Sequence, residues 1–145
     1  MKQRAMVTTI RFDQVGRDVP AKPGIYEIHT DTGTALKVGI GINLRKRLLQ
    51  HRASRQSCLR LKSGGKRSNP DDVVSKGSIL AKHLYYDRSI AGDYDLKSEV
   101  ERRKFLVENC YITFEVTETK ACARELERLR EQQRSFRYQN RVSIL

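Results

Sequence analysis

Glu125 stands where a carboxylate needs a reason. After Thr119, which reads as a helix cap, Cys122, Leu126 and Leu129 recur at i, i+4 and i+7, and Glu125 takes the i+3 place on that same apolar stripe. A carboxylate turned toward the body of a protein is costly unless it is paired or binds a metal. Arg124 and Arg128 offer the ion-pair alternative. A single carboxylate suits Mg²⁺, which keeps much of its water shell and uses few protein ligands, and Mn²⁺ is expected to substitute. A second pair, Arg47 and His51, is spaced i, i+4 and shares one face of another helix. A guanidinium offers a fork of donors that matches phosphate oxygens, and an imidazole can orient or deprotonate a water.

The charge distribution points to a polyanion. The 145 residues carry a formal net charge of +12. No acidic residue occurs between Asp31 and Asp71, an interval that holds Lys37, Arg45, Lys46, Arg47, Arg52, Arg55, Arg60, Lys62, Lys66 and Arg67. Clustered cations of this kind gain affinity for nucleic acid through counterion release, so nucleic acid is the expected partner, with DNA expected ahead of RNA. The stretch from Arg52 to Arg67 is expected to make sequence-independent phosphate contacts. A membrane partner is not expected, because no apolar run approaches the roughly 18–20 residues of a span. Met1 to Ile10 has Lys2 and Arg4 but no apolar stretch, so no secretory signal is read and the cytoplasm is the default compartment. Cys58, Cys110 and Cys122 lack metal-site or disulfide spacing and read as buried free thiols.

The elements that must position these residues follow from local pattern. Val7 to Phe12 alternates weakly, a short strand at most. Gly24 to Thr30 is β-branched and aromatic and reads as a strand; Asp31-Thr32-Gly33 is turn chemistry, and Thr34 to Ile40 is the return strand. On that strand Leu36, Val38 and Ile40 are expected on one face, with Lys37 and Gly39 on the other. Asn43 caps a helix to about Arg52, with Leu44, Leu48 and Leu49 as its apolar stripe. Ala53 to Ser75 reads as a long basic loop. Ser78 to Leu84 reads as a short helix, and Ser98 with Glu101 forms an S-x-x-E capping box for a helix to about Asn109. Tyr111 to Val116 is a third strong strand, and Thr119 opens a helix to about Ser135. The expected architecture is one α/β (α+β) domain over residues 1–145: a small antiparallel three-stranded sheet flanked by helices, with a helical and loop insertion.

These residues resemble the GIY-YIG nuclease family. Gly24-Ile25-Tyr26 after Pro23 matches the first half of the family's motif, and Val38-Gly39 resembles the end of the second half. An arginine eight residues after that glycine, Arg47, a histidine four later, His51, and a glutamate on the helix after the third strand, Glu125, follow in the family's order. Asn140 resembles the family's C-terminal asparagine. The likeness covers residues 23–52 and 111–140, leaving 53–110 as an insertion. Lys37 departs from it, standing where the second motif has tyrosine.

The resemblance implies a metal-dependent endonuclease. Tyr26 would act as base, aided by a cation such as Lys37, because a phenol of ordinary pKa near 10 is too weak at neutral pH. Arg47 would clamp the scissile phosphate, His51 would orient or deprotonate the water, Glu125 would hold the metal, and Asn140 would touch phosphate or metal-bound water. The alternative is a module of the same fold that binds nucleic acid without cutting it, which Lys37 favours. A third reading, an unrelated basic interaction module, is selected if Tyr26, Arg47 and Glu125 do not converge.

Overall fold

In the computed structural model, which describes residues 6–145, the chain runs β1 (Thr8–Arg11), α1 (Val15–Asp18), β2 (Gly24–Thr30), β3 (Ala35–Gly41), α2 (Leu44–Ala53), β4 (Leu59–Leu61), β5 (Val73–Ser75), α3 (Ile79–Tyr86), α4 (Glu99–Asn109), β6 (Cys110–Val116) and α5 (Lys120–Gln133). Lys2 and Arg4 of the N-terminal reading lie outside the described residues. The caps form as their chemistry dictates. Asn43, Ser78, Ser98 and Thr119 each accept the backbone N–H of the residue three further on.

The main sheet is antiparallel throughout, in the order β1-β6-β2-β3. It has four strands, not three. The weakly patterned β1 pairs along β6 from Thr8↔Phe114 to Arg11↔Tyr111, covering a backbone edge that would otherwise be left open. Two-stranded β4–β5 forms separately. Every residue of β2 is buried, because it lies between β6 and β3 and is covered on both faces. Tyr26 and Ile28 face the larger core, with Leu44, Leu48, Leu84, Phe105 and Leu106. Ile25 faces the smaller one, with Val38, Ala123 and Phe136 beneath α5.

Strict alternation fails in β3. Ile28 pairs with Lys37 but His29 pairs with Ala35, so Leu36 is an extra residue in a bulge. Leu36 therefore drops into the larger core, while Val38 and Ile40 pack on the α5 side.

The middle of the chain is not a loose loop. Gly64, Gly65, Asn69 and Pro70 close the β4–β5 hairpin, whose ends are tied by the Lys62 amide to the Asp72 carbonyl (2.8 Å) and the Lys66 amide to the Asp72 carboxylate (2.9 Å). Leu80 and Leu84 of α3 and Phe105 and Leu106 of α4 belong to the same core as Tyr26. Each such side chain contributes about 1.5–3 kcal/mol when fully buried, so this segment shares the stability of the sheet. The cysteines are free, but only Cys110 is buried; Cys58 is half-buried and Cys122 exposed. No helix among the described residues is long and apolar enough to cross a membrane.

Candidate active site

The Tyr26 ring lies flat across Gly39, its partner in the β2–β3 register. A Cβ on Gly39 would come within 2.3 Å of the Tyr26 hydroxyl and 2.5 Å of Cζ. Glycine is thus required at that place by the tyrosine opposite, which explains two elements of the motif with one contact. Gly24 is constrained in the same way, by the Glu115 carbonyl at 2.4 Å and Leu44 Cδ1 at 2.5 Å.

From Tyr26 a buried hydrogen-bond chain runs through two elements distant in sequence. Tyr26 Oη lies 2.6 Å from His51 Nε2, and His51 Nδ1 lies 2.8 Å from Ser78 Oγ. Ser78 Oγ also accepts the Ala81 amide hydrogen at 3.2 Å as the cap of α3. All three residues are at most 1% exposed. The Ser78 oxygen keeps a second lone pair beyond the cap, so its hydroxyl can donate to Nδ1 or accept from it. A neutral imidazole has one donor and one acceptor, so Nε2 accepts the Tyr26 hydroxyl hydrogen when Nδ1 donates to Ser78, and donates to Tyr26 Oη when Ser78 donates to Nδ1. The ring is neutral because burial, then Arg47 and Lys37, hold its pKa well below the ordinary histidine value. Tyr26, His51 and Ser78 are thereby held in one fixed arrangement.

Arg47, one helical turn before His51, is half-buried. Its Nη1 donates to the Gly77 carbonyl at 2.9 Å and, at 3.4 Å, to Gln50 Oε1. The Gly77–Ser78 turn therefore holds both predicted α2 residues, the arginine by a carbonyl and the histidine by a hydroxyl. Sequence reading found Ser78 as a helix start but not this role, since nothing local links it to His51, 27 residues away. Burial raises the Tyr26 phenol to about 12, against the pull of the neighbouring Arg47. The cation beside Tyr26 that eases its ionisation is Arg47, where the sequence suggests Lys37 or a metal. Lys37 is half-buried on β3; burial and Arg47 push its ammonium down, while Glu127 and Glu131 draw it up.

The carboxylate facing this group is Glu127. The inward stripe of α5 is buried Ala123 with half-buried Leu126, Glu127 and Arg130, not Cys122, Leu126 and Leu129; Cys122 is exposed and Leu129 is 50% exposed. The rotation has an electrostatic cause. Arg130 reaches under the helix to Glu27 (3.0 Å) and Glu115 (3.3 Å), both buried on the sheet. With Arg130 inward, Glu125 is turned out and is exposed. Glu127 lines a cleft of about 490 Å³ with Gly41, Asn43, Lys46, Arg47, Lys120 and Arg124. Burial and Glu131 raise its carboxyl pKa against Lys37, Arg124 and Arg128.

The remaining predicted residues divide. Lys46 lines the cleft, and Arg45 and Arg55 line a neighbouring cavity. Arg52 donates to the Phe12 carbonyl (3.4 Å) and Arg67 to the Leu59 carbonyl (3.2 Å), both structural contacts. Arg60, Lys62 and Lys66 are exposed on the β4–β5 hairpin, and Asn140 is exposed beyond α5, outside the residues that line the cleft.

Among the described residues no three His, Cys, Asp or Glu side chains are grouped to cage a metal ion. Of the residues that line the cleft, Glu127 alone carries a carboxylate, on an otherwise cationic rim. Comparisons of the chain with protein-family models, with curated proteins and with solved structures return no match.

Proposed function

We propose that the chain is a metal-dependent endonuclease that hydrolyses phosphodiester bonds in nucleic acid, with DNA the expected substrate. The observation that carries this reading is that Arg47 and Glu127 line one cleft, with Tyr26 and His51 buried behind Arg47 and Lys37 beside Glu127. Tyr26, Arg47 and His51, with Gly24, Ile25, Val38 and Gly39, are also what the likeness to GIY-YIG nucleases rests on; Lys37 departs from it, and Glu127 takes the place first read for Glu125. The net charge of +12 supports a polyanionic substrate.

In this reading Arg47 exchanges the Gly77 carbonyl for a phosphate oxygen and stabilises the charge that grows on the phosphoryl group. Its departure uncovers Tyr26, which is 1% exposed. Once Tyr26 has released its phenolic proton to solvent through the uncovered cleft, the phenolate takes a proton from the attacking water as the new P–O bond forms. The bond to the leaving oxygen breaks, and that oxygen takes a proton from solvent. His51 Nε2–H steadies the phenolate in the tautomer where Ser78 donates to Nδ1. Glu127 would hold the divalent cation, which when bound supplies charge neutralisation at the leaving oxygen. Lys37 lends positive charge to the bound phosphate.

The same fold without cutting is the second reading, and Lys37 is the observation that favours it: its ammonium neighbours Glu127, where it competes with a metal for the carboxylate. Supercoiled plasmid with Mg²⁺ or Mn²⁺, and with EDTA, tests the proposal. Metal-dependent nicking that falls about 10³-fold in Tyr26→Phe is expected. Binding without cutting under every metal selects the second reading.

A further inference from the structure

Helix α2 separates the cleft from a second cavity of about 510 Å³. Arg45, Leu49 and Ala53, spaced i, i+4 and i+8, face this cavity, whereas Arg47 faces the cleft. Its floor is apolar, formed by Leu49, Ala53 and Cys58, and its rim carries Arg45, Lys46 and Arg55. Asn43, Lys46 and Gln50 line both spaces, so only one ridge of side chains stands between them.

A simple anion has no use for the apolar floor, and an apolar ligand has none for three cations. A flat heteroaromatic ring joined to phosphate uses both. Guanidinium planes stack on base faces. The Asn43 and Gln50 oxygens accept from the Lys46 amide and Arg47, and their amide nitrogens are left to donate to a base edge. In a duplex the bases are paired and stacked, and their faces are closed to such a site.

We infer that this cavity takes an unpaired nucleobase next to the phosphate held in the cleft, which makes single-stranded nucleic acid the preferred substrate class. The inference rests on the nuclease reading above. Arg55 stacks on the base, Arg45, anchored by its Nε on the Val19 carbonyl (2.7 Å), adds its charge at the rim, Leu49 and Ala53 floor the base, and Lys46 holds the backbone between the two spaces.

Cys58 reports directly on occupancy. The wild-type chain in EDTA is given a single-stranded DNA of roughly 12 nucleotides or its blunt duplex, with binding followed by anisotropy. The rate of Cys58 alkylation by iodoacetamide is then read by peptide mass spectrometry. The single strand is expected to slow Cys58 alkylation about tenfold and the duplex to leave it unchanged. Ala53→Phe, which fills the cavity, is expected to weaken single-strand binding about tenfold at unaltered duplex affinity. The assignment is overturned if the bound single strand leaves Cys58 as reactive as before or does not bind. It is equally overturned if the duplex shields Cys58 as well, or if Ala53→Phe weakens both forms alike. Metal-dependent cutting of plasmid and of the single strand by the same preparation separates the two claims. Cutting with an unshielded Cys58 removes the cavity's role alone, and shielding without any cutting removes the enzyme and leaves the binding site.

Discussion

Glu27 and Glu127 sit on neighbouring elements, and both are withdrawn from water, yet their surroundings are opposite. Glu27, on β2, accepts from Arg130 (3.0 Å), pairs with Arg134 (3.2 Å) and lies 2.9 Å from His29 Nε2. Although burial works against it, these partners, His29 foremost, lower its carboxyl pKa. Glu127, on α5, has no ion pair within 4.0 Å among the described residues, and its carboxyl pKa is raised. Where partners saturate a charge, it fastens a helix to a sheet. Where they do not, the charge stands ready for a ligand. The same division separates the two faces of the sheet: paired ions beneath α5, and an uncharged relay of Tyr26, His51 and Ser78 opposite.

This contrast can be broken experimentally. The largest stability effect is expected on the paired side. Glu27→Gln leaves Arg130 and Arg134 undercompensated and should destabilise the chain by about 3 kcal/mol in urea unfolding, with DNA affinity unchanged. Stability unchanged by that substitution would show that the network does not hold α5.

Acid should strike the other face first. His51 and His83 are both buried, and their folded pKa values are depressed, His83 to about 4. The unfolded chain takes up protons below the ordinary value of 6.5 while the folded chain does not. Their contribution is therefore intact above 6.5 and lost as pH falls. His83 alone accounts for roughly 3 kcal/mol between pH 6.5 and its folded value. Glu27 and Asp87, whose folded pKa values are also lowered, add losses only at still lower pH. Chemical denaturation at pH 7 and near pH 4 measures the first step, and His83→Phe, which retains a ring against Tyr138, should flatten it.

Ser78→Ala sharpens the relay. It removes the α3 cap and the Nδ1 partner together, and about 1–2 kcal/mol of stability should go with them. Cutting should fall about tenfold, and Ser78→Thr should restore both. Recovery of stability without recovery of rate would leave Ser78 a cap and nothing more.

Much of the frame was legible because it is local. The caps at Asn43, Ser98 and Thr119, the turn at Asp31-Thr32-Gly33 and the buried Leu44–Leu48 pair need only neighbouring residues to be recognised. So did the Arg47–His51 pairing on one helix face. The bulge at Leu36 was hidden, since it exists only in the pairing of β2 with β3. The face of α5 was hidden for a stronger reason. A hydrophobic stripe through Leu126 and Leu129 competes with the pull of Glu27 and Glu115 on Arg130, and the carboxylates belong to strands far away in sequence. Ion pairing won, and Glu127 took the inward place that the apolar pattern had given to Glu125. The middle segment was misread as a basic loop because Asp71 and Asp72, which close it, lie just past the basic run.

The smallest expected effect is Glu125→Ala, and set beside the largest catalytic one it gives the most direct test. Supercoiled plasmid is incubated with wild type, Glu125→Ala and Glu127→Ala, with Mg²⁺, Mn²⁺ or EDTA. Metal-dependent nicking should persist in Glu125→Ala, whose side chain is exposed, and fall about 10³-fold in Glu127→Ala, which lines the cleft. Loss in Glu125→Ala with activity kept in Glu127→Ala would contradict the assignment of the carboxylate, and no cutting by wild type of plasmid or of single-stranded DNA with any metal would contradict the enzyme itself.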